Sequence, residues 1–196
     1  MRGAGHDIGG ACRPSRLLLP LLLLCLSASV AWAATPDLLI DQLGKPVPPG
    51  RLQGHVLLVY FGYTNCPDLC PAALTTMTSV MNLLGPEGAG VLPIFVTVDP
   101  ARDTVALLRR YATHFHPRLV ALTGTAAAIA DAARSFNVQY RAQPADAHGY
   151  YAVDHSVLLY LADRQGRVVQ SFHPRQAAQE IAAAVRARLT AESRVP

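Results

Sequence analysis

Hydrophobic positions along the chain switch between two periods, and the switching predicts alternating strands and helices. Val56 to Phe61 (VLLVYF) is apolar without a break and rich in β-branched and aromatic residues, which predicts a strand buried on both faces. Gly62 to Cys70 reads as a loop, and Pro71 opens a helix, since the first helical position has no use for an N–H. Leu74, Met77, Met81 and Leu84 recur at spacings of three and four before Gly85-Pro86 stops the helix. The pattern then repeats. Ile94 to Val98 predicts a second buried strand ended by Asp99-Pro100, and Asp103 is the expected cap of a helix carrying Leu107, Leu108, Tyr111 and Phe115. Leu119 to Leu122 predicts a short strand, and Thr125 the cap of a helix holding Ile129 and Phe136. Near the start, Leu38 to Gln42, a Gly44-Lys45 turn and Pro46-Val47 predict a small hairpin. Near the end, Ser156 to Leu161 and Val168 to Phe172 flank the turn from Asp163 to Gly166 as a second hairpin. A last helix places Ala177, Ile181, Val185 and Leu189 on one face. This order predicts an α/β fold, a central sheet with helices on both faces.

The first residues follow a different rule. Leu17 to Trp32 is apolar or small almost throughout, behind Arg2, Arg13 and Arg16, and runs into Ala31-Trp32-Ala33. That order of basic, apolar and small-x-small segments predicts an export signal cut before Ala34, with an uncleaved membrane anchor as the alternative. Residues 1–33 are therefore set aside as leader, and 34–196 form one domain with a single core. Without the leader, 14 Lys plus Arg face 12 Asp plus Glu, and no basic cluster remains to argue for nucleic acid.

Cysteine usage changes the picture most. Of four cysteines, Cys12 and Cys25 belong to the leader; Cys66 and Cys70 remain, four apart. A pair so close closes almost no loop and would add little stability as a disulfide, so chemistry is the better reason for it. The pair lies between a buried strand and a helix start, where open α/β sheets place their sites. Cys70, just before Pro71, is expected at the positive end of the helix dipole, which favours thiolate. Pro67 and Pro71 stiffen the loop so that it can hold two sulfurs at a fixed separation, as a metal or a disulfide requires.

Three segments carry a resemblance. Tyr60 to Leu74, Thr97-Val98-Asp99-Pro100-Ala101-Arg102-Asp103-Thr104 and Val153-Asp154-His155-Ser156 resemble the signature segments of the Sco/SenC family, in that family's order and at about its spacing. The similarity runs from about Leu38 to the last helix. It implies a thioredoxin-like fold, which the element order also fits. It implies a copper metallochaperone, a metal-transfer protein rather than a catalyst, that delivers one copper ion to the binuclear copper centre of cytochrome c oxidase. By the same resemblance, Cys66, Cys70 and His155 are the copper ligands. Two thiolates and an imidazole suit Cu(I), while Cu(II) or zinc would call for a further donor. Asp154 is the candidate for orienting His155 by accepting from its other ring nitrogen. The implied partner is the copper-bearing subunit of the oxidase, with other periplasmic copper carriers or thiol reductants beside it. The implied place is the periplasm, free or tethered to the inner membrane by an uncleaved leader.

The alternative is an exported thiol–disulfide oxidoreductase that reduces the cysteines of an acceptor protein, with Cys66 and Cys70 as its redox pair. Against it, thioredoxins use Cys-x-x-Cys and present a cis-proline where this chain reads Asp154-His155-Ser156. Met77 and Met81 lie on an apolar helical stripe and are expected in the core. Asp99, Arg102 and Asp103 are expected in strand-stop, ion-pair and capping roles. Tyr63, Asn65 and Asp68 are candidates for a rim offered to a partner, although turn chemistry explains Asn65 and Asp68 equally well.

Overall fold

The computed structural model describes residues 38–193; the expected leader lies outside them. Among these the chain runs β1 (Leu39–Asp41), β2 (Pro46–Val47), α1 (Pro49–Leu52), β3 (Val56–Gly62) and α2 (Leu69–Leu84). After a 3-10 segment at Gly85–Gly90 come β4 (Val91–Thr97), α3 (Val105–Ala112), β5 (Val120–Thr123), α4 (Ala126–Ser135) and β6 (Tyr140–Ala142). The chain ends with β7 (Val153–His155), β8 (Leu159–Ala162), β9 (Val168–Phe172) and α5 (Ala178–Glu192).

Seven strands form one sheet in the order β2-β1-β5-β4-β3-β8-β9, and β6 pairs with β7 as a separate ribbon. β3, β4 and β5 are parallel, whereas β8, β9 and the opening hairpin run antiparallel to their neighbours. Every residue of β3 is buried, as its unbroken apolar run predicts for a strand covered on both sides. On one face Phe95 packs against Tyr111 of α3, and Tyr60 reaches Cys70 of α2; α5 lies beside α2. On the other face Phe61 packs against Phe136 at the end of α4, with ring centroids 5.5 Å apart. Helices therefore cover both faces. Met77 and Met81 are buried among the α2 core residues, which accounts for their spacing.

Several boundaries differ from expectation for identifiable reasons. α2 begins at Leu69, so Cys70 sits in its first turn rather than in the preceding loop. β4 begins at Val91; Pro93 lies before the first β4–β5 pair, Ile94 with Val120, so its missing N–H falls outside that ladder. The cap of α3 is Thr104, whose hydroxyl accepts from the Leu107 N–H at 3.3 Å, and not Asp103, which is buried and bonded elsewhere. Thr125 caps α4 as expected, accepting from the Ala128 N–H at 3.1 Å. The last hairpin starts at Leu159 rather than Ser156, because His155 belongs to the ribbon strand β7.

Candidate metal centre

β3 carries the chain to the carboxyl end of the parallel strands, and Gly62 closes it. A Cβ on Gly62 would stand 2.8 Å from the Cys70 sulfur, 2.9 Å from the Tyr60 ring and 3.1 Å from the Phe95 ring. Glycine is required there because the sulfur occupies the space a side chain would fill. The loop then turns at Tyr63 to Cys66, where the Cys66 N–H donates to the Tyr63 carbonyl at 3.2 Å. It enters α2 at Leu69. Both thiols are free. Cys70 is buried and Cys66 half-buried, and the Cys70 N–H donates to the Cys66 sulfur at 3.4 Å.

His155 arrives from far along the sequence. β7 pairs with β6 in the register Tyr140 with His155, Arg141 with Asp154 and Ala142 with Val153. This places the His155 Nε2 3.7 Å from the Cys70 sulfur. Two ligands of one ion, each about 2.0–2.3 Å from it, stand roughly 3.5–4 Å apart, so this separation suits a shared metal. The imidazole sits between two tyrosines edge-on, 6.0 Å from the Tyr60 ring and 5.9 Å from the Tyr63 ring. Its Nδ1 lies 2.9 Å from the Ser156 carbonyl. A carbonyl only accepts, so Nδ1 carries the proton and Nε2 turns its lone pair toward the sulfur. Burial holds His155 below its ordinary value, against the opposite pull of the Ser156 carbonyl and the Asp154 charge, which favours the neutral, ligating ring.

Two expectations about this site change. Asp154 does not hold the ring: its exposed carboxylate is bonded to Gln143 and lies 4.0 Å from Arg141, and the acceptor for Nδ1 is the Ser156 carbonyl. The Cys70 thiol is not lowered by its helix-terminal position either. Burial pushes it up to about 12, with the Cys66 sulfur adding to the rise and bonds from the Tyr63 backbone and the Tyr60 hydroxyl opposing it. Desolvation outweighs the dipole here. The Tyr60 hydroxyl is 3.8 Å from the Cys70 sulfur.

Among the described residues no three Cys, His, Asp or Glu side chains are already gathered around one metal-sized point. Cys70 and His155 are together; the Cys66 sulfur, in the loop before α2, accepts from the Cys70 amide. Open space beside His155, bordered by Gln139–Arg141 and Asp154–Ser156, leaves one side of the ring approachable. An apolar hollow between β1, α1 and α4, lined by Leu57, Val59, Phe61 and Phe136 among others, lies on the opposite face and touches none of the three. Of the rim candidates, Asn65 and Asp68 are exposed, whereas Tyr63 is buried and packs on His155.

The residues after β4 are placed for a particular task. Asp103 accepts from the Thr64 N–H at 3.0 Å, the Thr64 hydroxyl at 2.5 Å and the Thr97 hydroxyl at 2.6 Å, so it fastens the cysteine loop. Asp99 pairs with Arg102 and accepts from the Tyr151 hydroxyl at 2.8 Å.

The SCO1/SenC family pattern matches residues 34–190. The chain belongs to the SCO1/SenC family. An SCO2-like protein of Rickettsia typhi is 40% identical over 144 residues, covering 73% of this chain and 71% of that protein. The copper-bound structure of ScoI from Bradyrhizobium japonicum is 39% identical, with a TM-score of 0.72 over 79% of this chain and 98% of the other. BsSco, described in connection with a disulfide switch and as a member of the Sco family of cytochrome c oxidase assembly proteins, is 27% identical with a TM-score of 0.62, over 78% of this chain and 91% of its own. The sheet and helices of this family member are thioredoxin-like, as the element order implies. Among the described residues no helix is long and apolar enough to cross a membrane.

Proposed function

We propose that this protein is a copper carrier that takes part in cytochrome c oxidase assembly, holding one Cu(I) as cargo through Cys66, Cys70 and His155. The observation that carries this reading is the 3.7 Å approach of His155 Nε2 to the Cys70 sulfur across 85 positions of sequence, beside a second free thiol, Cys66, whose sulfur accepts from the Cys70 N–H. Two thiolates and a neutral imidazole are donors that Cu(I) prefers, and three of them leave the ion open to a ligand from the receiving protein. Loading requires both thiols to release their protons. The ring needs no such change, because its proton already sits on Nδ1 against Ser156. Copper-bound relatives of similar fold support the choice of metal, and family membership supports the oxidase as destination. We further assign residues 1–33 as an export leader or anchor and place the domain outside the cytoplasmic membrane.

The oxidoreductase alternative gains less support. Burial pushes the Cys70 thiol up to about 12, which disfavours this sulfur as an attacking thiolate. Competition of the reduced protein for Cu(I) against a chelator, alongside Cys66→Ala, Cys70→Ala and His155→Ala, tests the assignment. One ion per chain, lost in either cysteine variant and weakened in the histidine variant, is expected. Equal affinity in all four proteins contradicts it.

A further inference from the structure

The two halves of the site come from parts of the chain that do not touch in sequence, so something must set the distance between them. β6 and β7 lie outside the seven-stranded sheet, and their mutual pairing alone does not locate them against α2. The connection between β4 and α3 reaches both sides. Its Asp103 binds the Thr64 amide and hydroxyl, two residues from Cys66. Its Arg102 reaches in the other direction, donating from Nη1 to the Tyr151 carbonyl at 2.9 Å, two residues before β7. The guanidinium carbon stands 3.6 Å from the centre of the Tyr151 ring and 5.6 Å from that of Tyr63, the same Tyr63 that packs on His155. Asp99 completes the grip by pairing with Arg102 and accepting from the Tyr151 hydroxyl.

The two grips are joined. The Thr97 hydroxyl donates to Asp103 at 2.6 Å and accepts from the Asp99 N–H at 2.9 Å. Asp99 and Asp103 are both buried, so neither carboxylate can exchange these partners for water without exposing the segment. Arg102 Nη2 is buried with no polar partner among the described residues, and the surrounding aromatic faces take its charge. A surface ion pair would be worth little here; a guanidinium stacked, paired and bonded to a backbone carbonyl has one position.

We propose that segment 97–104 is the gauge of the metal centre: Asp103 fixes the cysteine loop, and Asp99 with Arg102 fixes the His155 ribbon through Tyr151, so that this segment sets the distance between sulfur and imidazole. Asp99, Arg102 and Tyr151 are positioning residues; they act on the cargo only through His155. The copper consequence rests on the ligand reading above, whereas the geometric one does not.

A double-mutant cycle in the intact chain separates the two. Arg102→Met weakens Cu(I) binding about tenfold, the scale on which residues that orient a ligand act. In a His155→Ala background it has little further effect, because the residue it positions is gone. X-ray absorption of copper-loaded Arg102→Met shows the nitrogen ligand lost and both sulfurs kept. Equal losses in the two backgrounds, or unchanged affinity in the single variant, overturn the proposal. Should His155→Ala itself leave affinity unchanged, the ligand reading has failed, and the metal-free protein decides the gauge. There, NMR contacts between the His155 ring and the Tyr63 ring disappear in Arg102→Met while the β3–β4 amides stay protected from exchange; their survival overturns the proposal. If Arg102→Met does not fold, Tyr151→Leu, which leaves the Arg102–Asp99 pair intact, takes its place with the same outcomes.

Discussion

The cysteine half and the histidine half of this site are built in opposite ways. Cys70 is buried in the first turn of α2, its sulfur lodged against Gly62 of the fully buried strand β3. Nothing there can move without disturbing the core. His155 rides on a ribbon of two three-residue strands outside the main sheet, and β6 opposite it is largely exposed. Such short pairing is marginal by itself and depends on its attachments. The contrast teaches that a centre can be rigid by core packing at one end and adjustable, through the attachments that hold it, at the other. On the proposed reading, packing in the core sets the sulfur end and segment 97–104 sets the imidazole end.

Removing the rigid half has the largest expected effect. Cys70→Ala or Cys66→Ala abolishes Cu(I) binding in a chelator competition while leaving the far-UV circular dichroism spectrum unchanged. Gly62→Ala comes next, since it attacks the same half through packing. The new methyl overlaps the Cys70 sulfur and the rings of Tyr60 and Phe95, so denaturant unfolding shows a loss of about 1–3 kcal/mol together with weakened metal binding. Removing the adjustable half costs less. His155→Ala weakens Cu(I) binding by at least the roughly 10–100-fold that losing a ligand's orienting partner costs, without the stability loss of Gly62→Ala.

Acidity also divides the halves. Metal binding expels the Cys70 proton from a thiol near 12, so Cu(I) affinity rises with pH, by up to about tenfold per unit for each thiol deprotonated. The metal-free protein behaves oppositely in alkali. Cys70 is raised in the folded state from an ordinary 9.0, so the folded state binds more protons above that pH, and stability falls as pH climbs from about 9 toward 12. His155 is lowered by burial, so its contribution is present above its ordinary 6.5 and is lost as pH falls below it. Thermal unfolding across pH, compared between wild type, Cys70→Ala and His155→Ala, isolates each limb. The smallest effect is expected at Asp154. Its carboxylate is exposed and bonded away from the ring, so Asp154→Asn shifts Cu(I) affinity by less than about twofold.

The rigid half was legible in the sequence and the adjustable half was not. The unbroken apolar run of β3, the proline near the start of α2 and the three- and four-residue spacing of Leu74, Met77, Met81 and Leu84 each carry a periodic or steric signal. β6 and β7 carry none, since three residues are too few to show alternation and their pairing bridges an irregular loop. His155 could be singled out only through family resemblance. The cap of α3 lies one residue beyond the expected Asp103, because Asp103 and Thr104 are both good caps and only burial beside Thr64 and Thr97 decides between them. The acidity of Cys70 departs from expectation for a related reason. A helix terminus can be read from a proline, but the depth at which a sulfur lies beneath Gly62, Tyr60 and Phe95 cannot.

The most direct test of the shared site is copper X-ray absorption on the reduced, singly loaded protein, beside His155→Ala. Two sulfur neighbours and one nitrogen in the wild type, with the nitrogen alone missing from the variant, is the predicted result. A wild-type spectrum of sulfur neighbours only, identical to that of the variant, would contradict the account.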